Sequence, residues 1–521
     1  MFSLAFLIGI YSFLIFGLGL VGLLYKENVQ ILTLAYVLLL IVFFRRKILK
    51  FRPKLKLNLP LALILLLILV NLVGALGPEL GFDALWYHLT LPKIYLINHK
   101  IFHIPGGLFY YSDMPKLVEM LYVGALTFGG EVMAKLIHLL FGVLSTIVVY
   151  KISRKVLNEK LSFLSSLIFY SSLAIGWMSI TSYIDLGRTF FEAMALLGFL
   201  NFIETKRKSW LIESSFMLGL AISSKLLSLG SIVIFLVLLL IGVEKRNYKN
   251  ILSFAFIPLF VALPWFIFSL LNTGNPVYPF FTDIYKTGFD LSLINPIRLI
   301  TDVFNLFVRS QDPINPSFII FIPFLFFYLT KLDKLTKLIF IYSLISVFVW
   351  YVTPRTGGGR FILPLLPALS VLTVKSIEIL SKDKAISRVA YILVISISIL
   401  SILYRGVANS KYLREILGRE SKAEFLSDNL NFRYGDFYDT DGFFKKTISP
   451  KDTVLLYGFH NLYYVDFPFI DSSYVKVGDK FDFIATQNSD LPERFKFWKE
   501  IYSNPKTGVK LYSFQGKIWL Y

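Results

Sequence analysis

Cysteine is absent from this sequence, and histidine is scarce, with five residues in 521. The absence of cysteine excludes disulfide bonds and thiolate metal sites, and it removes any evidence on the redox compartment. Charge is sparse as well, because Asp, Glu, Lys and Arg make up 17% of the chain, against about 25% in an average soluble domain. We find no internal sequence repeat, which weakens an interpretation as an inverted-repeat transporter.

Hydrophobic residues make up 56% of the chain. Apolar runs repeatedly reach the length of about 20 residues that crosses a bilayer, so the sequence predicts an all-α, multi-pass integral membrane protein. About thirteen transmembrane helices are expected, at residues 2–24, 29–44, 60–77, 130–150, 161–178, 187–203, 210–224, 229–243, 251–271, 317–330, 338–353, 361–377 and 388–404. The first is expected to be a retained span, because no basic flank precedes it and no small-residue cleavage site follows it.

The net charge of +19 comes largely from Lys and Arg residues in short loops between the apolar runs. These loops face the cytoplasm by the positive-inside rule, so the charge indicates orientation in a plasma or inner membrane and not binding of nucleic acid. The opposite, outer side then carries two long loops, 78–117 and 272–316. An odd number of spans puts the tail on that side too. We therefore predict a transmembrane domain at 1–404 and a small extracytoplasmic α/β domain at 405–521, which contains the strand-like runs TVLLYGF and KLYSF.

The first outer loop contains the segment GFDALWYHLTLPK, from Gly81 to Lys93. A carboxylate at the end of a membrane helix is costly unless water, a cation or a substrate meets it, so Asp83 is the leading functional candidate. The aromatic and ionisable residues that follow suit sugars, because rings stack on sugar faces while charged groups bind hydroxyls and phosphates. An aromatic belt at the lipid headgroups is the alternative interpretation. The candidate substrate-binding residues of this loop are Tyr87, His88, Lys93, Asp113 and Lys116.

A second acid, Asp185, stands at the outer edge of the sixth predicted span. Arg188 and Glu192 lie one and two turns deeper on nearly the same helical face. Because they are four residues apart, they are expected to neutralise each other as an ion pair. Asp185 therefore stays the candidate of this segment.

Two further outer segments carry candidate ligands. NTGNPVYPF, which contains Tyr278, cannot continue a helix and is predicted to fold back over the membrane surface. TPRTGGGRFILPLLP places Arg355 and Arg360 around three glycines at the outer start of a span. Positive charge on this side runs against the orientation rule, so these arginines favour an anionic partner.

Together these features resemble the GT-C glycosyltransferase superfamily. The resemblance is carried by the D-x-x-x-Y spacing of Asp83 and Tyr87, by Asp185 at the head of a span, by NPVYPF and by the R-F-x-L-P-x-x-P segment at Arg360. It is closest to the protein O-mannosyltransferase and aminoarabinose-transferase-like branch, and it spans most of residues 60–405.

The resemblance implies a GT-C fold and a sugar donor carried on a polyprenyl phosphate. It further implies that Asp83 is the catalytic acid-base residue, Asp185 a second active-site acid and Arg360 a phosphate ligand. The sequence departs from the family pattern at two positions. Trp86 stands where related transferases often have a basic residue, and Met114 stands where a phosphate-binding lysine is expected.

The chemistry of sugar phosphates leads to the same function. Transfer passes through an oxocarbenium-like state and the phosphate is already a good leaving group, so one base is sufficient. Asp83 is expected to take the proton of an acceptor hydroxyl, with inversion at the anomeric carbon. His88 is the alternative base. The acceptor is a lipid, a glycan or a protein. No cofactor is expected, and no cluster compels a metal site, although a divalent metal stays open.

A transporter or flippase of lipid-linked sugars is the alternative function. It would place ionisable groups near the bilayer midplane and would need no large outer loop. The acids of this sequence lie at the outer edge of the spans, which favours the enzyme. A membrane scaffold is the third interpretation, and it leaves the outer Asp and Arg residues unexplained.

Overall fold

The chain is predominantly helical. A computed structural model describes residues 1–50, 57–243, 248–284, 295–353, 358–381, 383–514 and 519–520, with the backbone alone at 47–50, 296 and 519–520. The helices of the membrane part are α1 (Phe2–Leu20), α2 (Lys26–Lys50), α3 (Leu59–Leu76), α4 (Thr90–Ile97), α5 (Leu117–Ser153), α6 (Glu159–Tyr170), α7 (Leu173–Met178), α8 (Asp185–Thr205), α9 (Lys208–Ser224), α10 (Leu229–Gly242), α11 (Tyr248–Thr273), α12 (Pro296–Val308), α13 (Ser317–Phe321), α14 (Lys334–Val352), α15 (Leu366–Leu380) and α16 (Lys384–Ser410).

Short polar side chains set where several helices begin. Asn58 accepts a hydrogen bond from the Leu61 N–H at 3.0 Å and caps α3, and Asp333 caps α14 through the Thr336 N–H at 2.9 Å. Each cap satisfies one of the backbone donors that a helix leaves unpaired at its N-terminus. The polar residues between the apolar runs therefore form the loops and also determine where these helices begin.

Nine helices within the described ranges are long and apolar enough to cross a membrane, and the chain is a multi-pass membrane protein. All thirteen predicted segments coincide with helical structure, while the number that cross the membrane stays a prediction. The segment 161–178 differs from expectation, because it is broken into α6 and α7 after Tyr170. At this break Arg405 of α16 donates to the carbonyls of Tyr170 and Ser172.

Helix α8 forms the centre of the membrane part. Every residue from Asp185 to Ile203 is buried, and its main neighbours are α5 and α9. A helix that is apolar on nearly all sides is stable only when other helices surround it. The first residue of this central helix is Asp185, which is thereby held at a fixed position at one end of the core.

Helix α5 contains a kink at Gly129 and Gly130, at the predicted start of its span at residue 130. Gly130 has φ 59° and ψ −147°, a combination that is essentially restricted to glycine. A Cβ at this position would meet open space, so a larger residue would be strained by its backbone and not by a clash.

Replacing Gly130 by alanine is therefore expected to destabilise the chain by about 1–3 kcal/mol, the cost of that backbone region for a residue with a Cβ. Thermal unfolding in detergent measures this as a lower transition temperature. Gly17→Ala is the matched control, because Gly17 lies within α1 and its added methyl also meets open space. An equal transition temperature for both variants would contradict the expectation.

The C-terminal residues form the expected small domain of helices and strands. Its elements are α17 (Leu413–Ile416), α18 (Lys422–Asn429), α19 (Phe443–Thr447), β1 (Val454–Tyr457), β2 (Phe469–Asp471), β3 (Lys480–Phe481), β4 (Phe483–Gln487), β5 (Lys499–Asn504), β6 (Val509–Ser513) and β7 (Trp519–Leu520). The main sheet has the order β2-β1-β4-β6-β5, with β1 parallel to β2 and β4 and with β6 antiparallel to β4 and β5. Strand β1 lies within TVLLYGF, and KLYSF covers β6 except for its first residue, Val509.

This domain packs on the first long loop of the membrane part. The Lys93 ammonium donates to the carbonyls of Tyr463 and Val465 at 2.8 and 2.7 Å and pairs with Asp466 at 2.9 Å. The Tyr463 N–H donates to the Leu85 carbonyl at 3.2 Å. Residues 463–466 of the small domain therefore hold both α4 and the segment that precedes it in place.

Candidate active site

Asp83 lies between α3 and α4, directly before a π-helical turn, Ala84–His88. Its backbone N–H donates to the Tyr183 hydroxyl at 3.0 Å, and its Oδ2 accepts from Nη1 of Arg360 at 2.7 Å. The side chains are 14% exposed for Asp83 and 19% for Arg360. Two candidates that lie 277 residues apart thus form one largely buried ion pair.

Glu79 anchors the segment that leads to Asp83. It is fully buried, and its Oε1 accepts from the N–H groups of Leu80 and Gly81 at 2.9 and 2.7 Å. Its Oε2 accepts from the Ser182 N–H at 2.6 Å. Hydrogen bonds to a carboxylate are short and strong, so Glu79 ties the Asp83 segment to the residues that precede α8.

We expect Glu79→Gln to lower the thermal stability and to slow any reaction that depends on Asp83. The amide NH2 would face backbone donors, and each buried N–H left unpaired costs about 1–3 kcal/mol. The resulting shift of Asp83 would slow the reaction, because catalytic groups act only in narrow geometries. Thermal unfolding and turnover at saturating substrate measure the two effects. Glu493→Gln, an exposed change of the same kind, serves as the control, and equal stability of both variants would contradict the anchoring role.

Asp185 forms the second ion pair of the site. Its Oδ1 lies 2.7 Å from Nζ of Lys225, which ends α9. The following N–H, of Leu186, donates to Nε2 of His138 at 3.0 Å, while Nδ1 of His138 lies within 2.8 Å of the Met178 and Thr181 carbonyls. Nε2 accepts and Nδ1 donates, so the histidine is neutral and holds the start of α8.

Aromatic rings connect the two ion pairs. The Arg360 guanidinium lies 5.2 Å from the ring centre of Tyr183 and 5.0 Å from that of Phe361. The Lys225 ammonium lies 5.2 Å from the centre of the same Phe361 ring. Cations over aromatic faces are stabilised by the ring quadrupole. The site therefore combines two carboxylates and two cations around Phe361, and each carboxylate is paired with one cation.

A cavity of about 630 Å³ opens beside Asp83 and Arg360. Phe82, Trp177 and Tyr183 contribute aromatic walls, and the polar residues lining it are Thr181, Gln311, Asp312, Asn409, Lys411 and Asn429. Burial raises the pKa of the Asp312 carboxyl, an effect that the nearby Arg360 opposes. Aromatic surfaces with a few convergent polar groups are the composition of a small-molecule site, and here they suit a saccharide.

A cluster of aromatic rings borders the same segment. Tyr87 stacks on Tyr111 with ring centres 3.9 Å apart, and burial followed by the charge of Asp83 raises the pKa of Tyr87 well above its ordinary value. His460 of the C-terminal domain stacks on Phe82 at 4.8 Å and lies 4.3 Å from Trp86. The small domain thus contributes a ring directly beside the residue that precedes Asp83.

The other candidates of the first loop have partners outside the cavity. His88 is buried and lies 2.8 Å from Glu119. Asp113 accepts from Ser112 at 2.8 Å and lies 2.7 Å from His103, while Lys93 binds the C-terminal domain as described above. The buried Lys116 donates to the Met114 carbonyl at 2.6 Å, and burial lowers its pKa to about 8.

The remaining candidates are placed as follows. Tyr278 is half-buried after α11, and burial together with the charge of Asp113 raises its pKa. Arg355 lies outside the described residues. Arg188 and Glu192 form the expected ion pair, 2.7 Å apart. Across the described ranges, no three His, Asp or Glu side chains are grouped as a metal site requires.

Glu79, Lys225 and Asp312 are among the site residues that were not predicted. Lys225 had a usable signal, because it is a basic residue in the short link between two predicted spans on the side that should lack positive charge. Glu79 had the same signal as Asp83, because it follows the predicted span at 60–77 even more closely. Asp312 had none, since acids in polar loops are ordinary and only the fold brings it to the site.

Comparison with known proteins gives two kinds of match. Residues 122–268 match the family model described as dolichyl-phosphate-mannose-protein mannosyltransferase. The structure is similar to that of ArnT from Cupriavidus metallidurans bound to undecaprenyl phosphate, with a TM-score of 0.57, 12% identity, and coverage of 87% of this chain and 97% of that one.

It is also similar to the oligosaccharyltransferase AglB from Archaeoglobus fulgidus in complex with an inhibitory peptide and a dolichol-phosphate. The TM-score is 0.49 at 12% identity, and the match covers 88% of this chain and 74% of that one. No curated protein matches the chain by sequence.

Proposed function

We propose that this chain, which has the GT-C fold of membrane glycosyltransferases, transfers a sugar from a polyprenyl-phosphate donor to an acceptor hydroxyl. The observation that carries the proposal is the cavity beside Asp83 and Arg360, because it joins a carboxylate base to a cation suited to phosphate. The match to a family model named for dolichyl-phosphate-mannose, and the fold match to a protein whose structure holds undecaprenyl phosphate, support the donor class.

Asp83 is the proposed general base. Its carboxylate takes the proton of the acceptor hydroxyl while the acceptor oxygen bonds to the anomeric carbon, and the bond from that carbon to the phosphate oxygen breaks. The product sugar is inverted and the lipid leaves as polyprenyl phosphate. His88 is less suited to this role, because it is buried and already bound to Glu119. A base must lie within hydrogen-bond reach of the proton that it takes.

Arg360 is the proposed ligand of the donor phosphate. A guanidinium carries several donors in one plane and binds phosphate oxygens in pairs. Phosphate bound to the remaining donors of Arg360 would weaken the pairing of Arg360 with Asp83, so donor binding would free the carboxylate for the acceptor. Asp185 keeps Lys225 charged and in position next to Phe361, where its ammonium adds to the positive field around the phosphate.

The basic loops support an active site on the extracytoplasmic side, by the positive-inside rule. The acceptor is a lipid, a glycan or a protein, and the transferred sugar is a hexose or a pentose. The C-terminal domain, which touches the Asp83 segment through His460, is the proposed cap of the acceptor side.

The test is the release of free polyprenyl phosphate from the purified protein in detergent. A panel of undecaprenyl-phosphate-linked hexoses and pentoses serves as donor, and thin-layer chromatography follows the lipid. A glycosyltransferase releases undecaprenyl phosphate from at least one donor when an acceptor extract is present. A flippase leaves the bond between sugar and phosphate whole, so intact donor across the panel, with sugar movement across reconstituted vesicles, would reject the proposal.

A further inference from the structure

Helix α12 lies in the second long loop, between α11 and α13, and Asn295 starts it. The Asn295 side chain accepts from the Ile297 N–H at 2.9 Å, and proline follows as the first helical residue. Prolines at this position are preorganised for a helix. A regular helix is therefore built into a loop that the sequence did not predict to be helical.

Three sectors divide the surface of α12. One sector packs on the protein through Leu299, Val303, Leu306 and Phe307, of which Leu306 is 4% exposed. A second, polar sector is exposed and contains Arg298, Thr301 and Asn305. The packed sector and the polar sector together leave part of the helix circumference, which a third set of side chains covers.

The third sector is apolar and exposed. Ile297 is 74% exposed, Ile300 69%, Phe304 47% and Val308 52%. At 3.6 residues per turn these four side chains lie within about 80° of one another, between the packed sector and the polar one. Exposed apolar stripes of this kind are rare on surfaces that face water and mark contact with another apolar phase.

The neighbouring helices identify that phase. Helix α11, one of the nine candidate membrane spans, exposes Phe260 and Leu271 at 75% and 80%, and the segment after α13 exposes Phe327 at 81%. Helix α12 ends close to the cavity, because Gln311 and Asp312 line the cavity only a few residues after its last residue, Val308.

We infer that α12 is an interfacial helix of the bilayer leaflet nearest the cavity. Its apolar stripe enters the boundary between headgroups and acyl chains, its polar sector faces the headgroups and water, and its packed sector holds it to the protein. Amphipathic helices bind membranes in this way when one face is apolar and the next is polar. The bilayer is thus one support of the wall that carries Gln311 and Asp312. The inference does not depend on the proposed transfer reaction.

The lack of cysteine in the natural sequence allows a direct test. Ile300→Cys and Phe304→Cys each receive a nitroxide label, and the full chain is reconstituted in vesicles of phosphatidylcholine and phosphatidylglycerol. Collision with oxygen, which concentrates in lipid, is compared with collision with a water-soluble nickel chelate. We expect oxygen to dominate at 300 and 304. Asn305→Cys, on the polar sector of the same helix, is the matched control, where nickel should dominate.

Two results would overturn the inference. High nickel collision at 300 and 304 would place the stripe in water. Low collision with both reagents, together with spin–spin broadening, would mean that a second copy of the chain covers it. Val308→Cys supplies a third labelled position on the stripe, and it replaces either of the other two if that labelled variant elutes differently from the unlabelled protein on size exclusion.

Discussion

Replacing Asp83 by asparagine is expected to lower the rate of sugar transfer by at least about a hundredfold, the usual contribution of a general base. The amide keeps an oxygen that can accept from Arg360, so the hydrogen bond at 2.7 Å has a substitute. It cannot take a proton from the acceptor hydroxyl. The initial rate of polyprenyl phosphate release in the presence of acceptor measures the loss.

Asp283→Asn is the control for this variant. Asp283 is exposed in the second long loop, so the same change of atoms there removes a carboxylate without touching the cavity. We expect this control to keep the wild-type rate and both variants to keep the wild-type elution and unfolding temperature. An Asp83→Asn protein that folds normally and transfers sugar at more than half of the wild-type rate would disprove the role of Asp83.

The sequence predicts the helices well, because their signal is local. An apolar run of sufficient length is helical in a membrane whatever it packs against, since its backbone groups have no other partners. The prediction of one continuous helix failed at a position where the segment contacts a residue that is distant in the sequence. At the break after Tyr170, the Tyr170 carbonyl accepts from Arg405, which lies 235 residues away in the chain, and no property of the segment 161–178 reveals that contact.

The candidate site shows the same limit. Asp83 and Arg360 were predicted separately, from charge at the wrong place for a membrane helix and from family resemblance, but their pairing is a property of the fold. Lys93 illustrates the converse. Its sequence neighbours favoured a substrate ligand, while its ammonium binds the carbonyl of Tyr463, 370 residues later. A basic residue next to an active-site motif has the same local signal whether it binds a ligand or another domain.

Arg360→Gln is expected to lower transfer by about 10²–10³-fold, the cost of removing one preorganised group that stabilises developing charge. Arg360→Lys should lie between that variant and the wild type, because lysine keeps the charge but loses the planar pair of donors. Rates at saturating donor and the donor KM are both measured. Arg298→Gln, on the exposed polar sector of α12, is the control and should leave both the rate and the donor KM unchanged.

The double variant separates a role at the phosphate from a role in holding Asp83. If Arg360 only positions Asp83, then its removal in an Asp83→Asn background has no further effect, because the base is already lost. If it also binds the phosphate, the double variant binds donor more weakly than Asp83→Asn alone, although both are nearly inactive. Residues in direct contact are coupled, so the cycle is needed to apportion their effects. We expect the weaker donor binding, because a guanidinium placed between a carboxylate and an open cavity has donors left for a second anion.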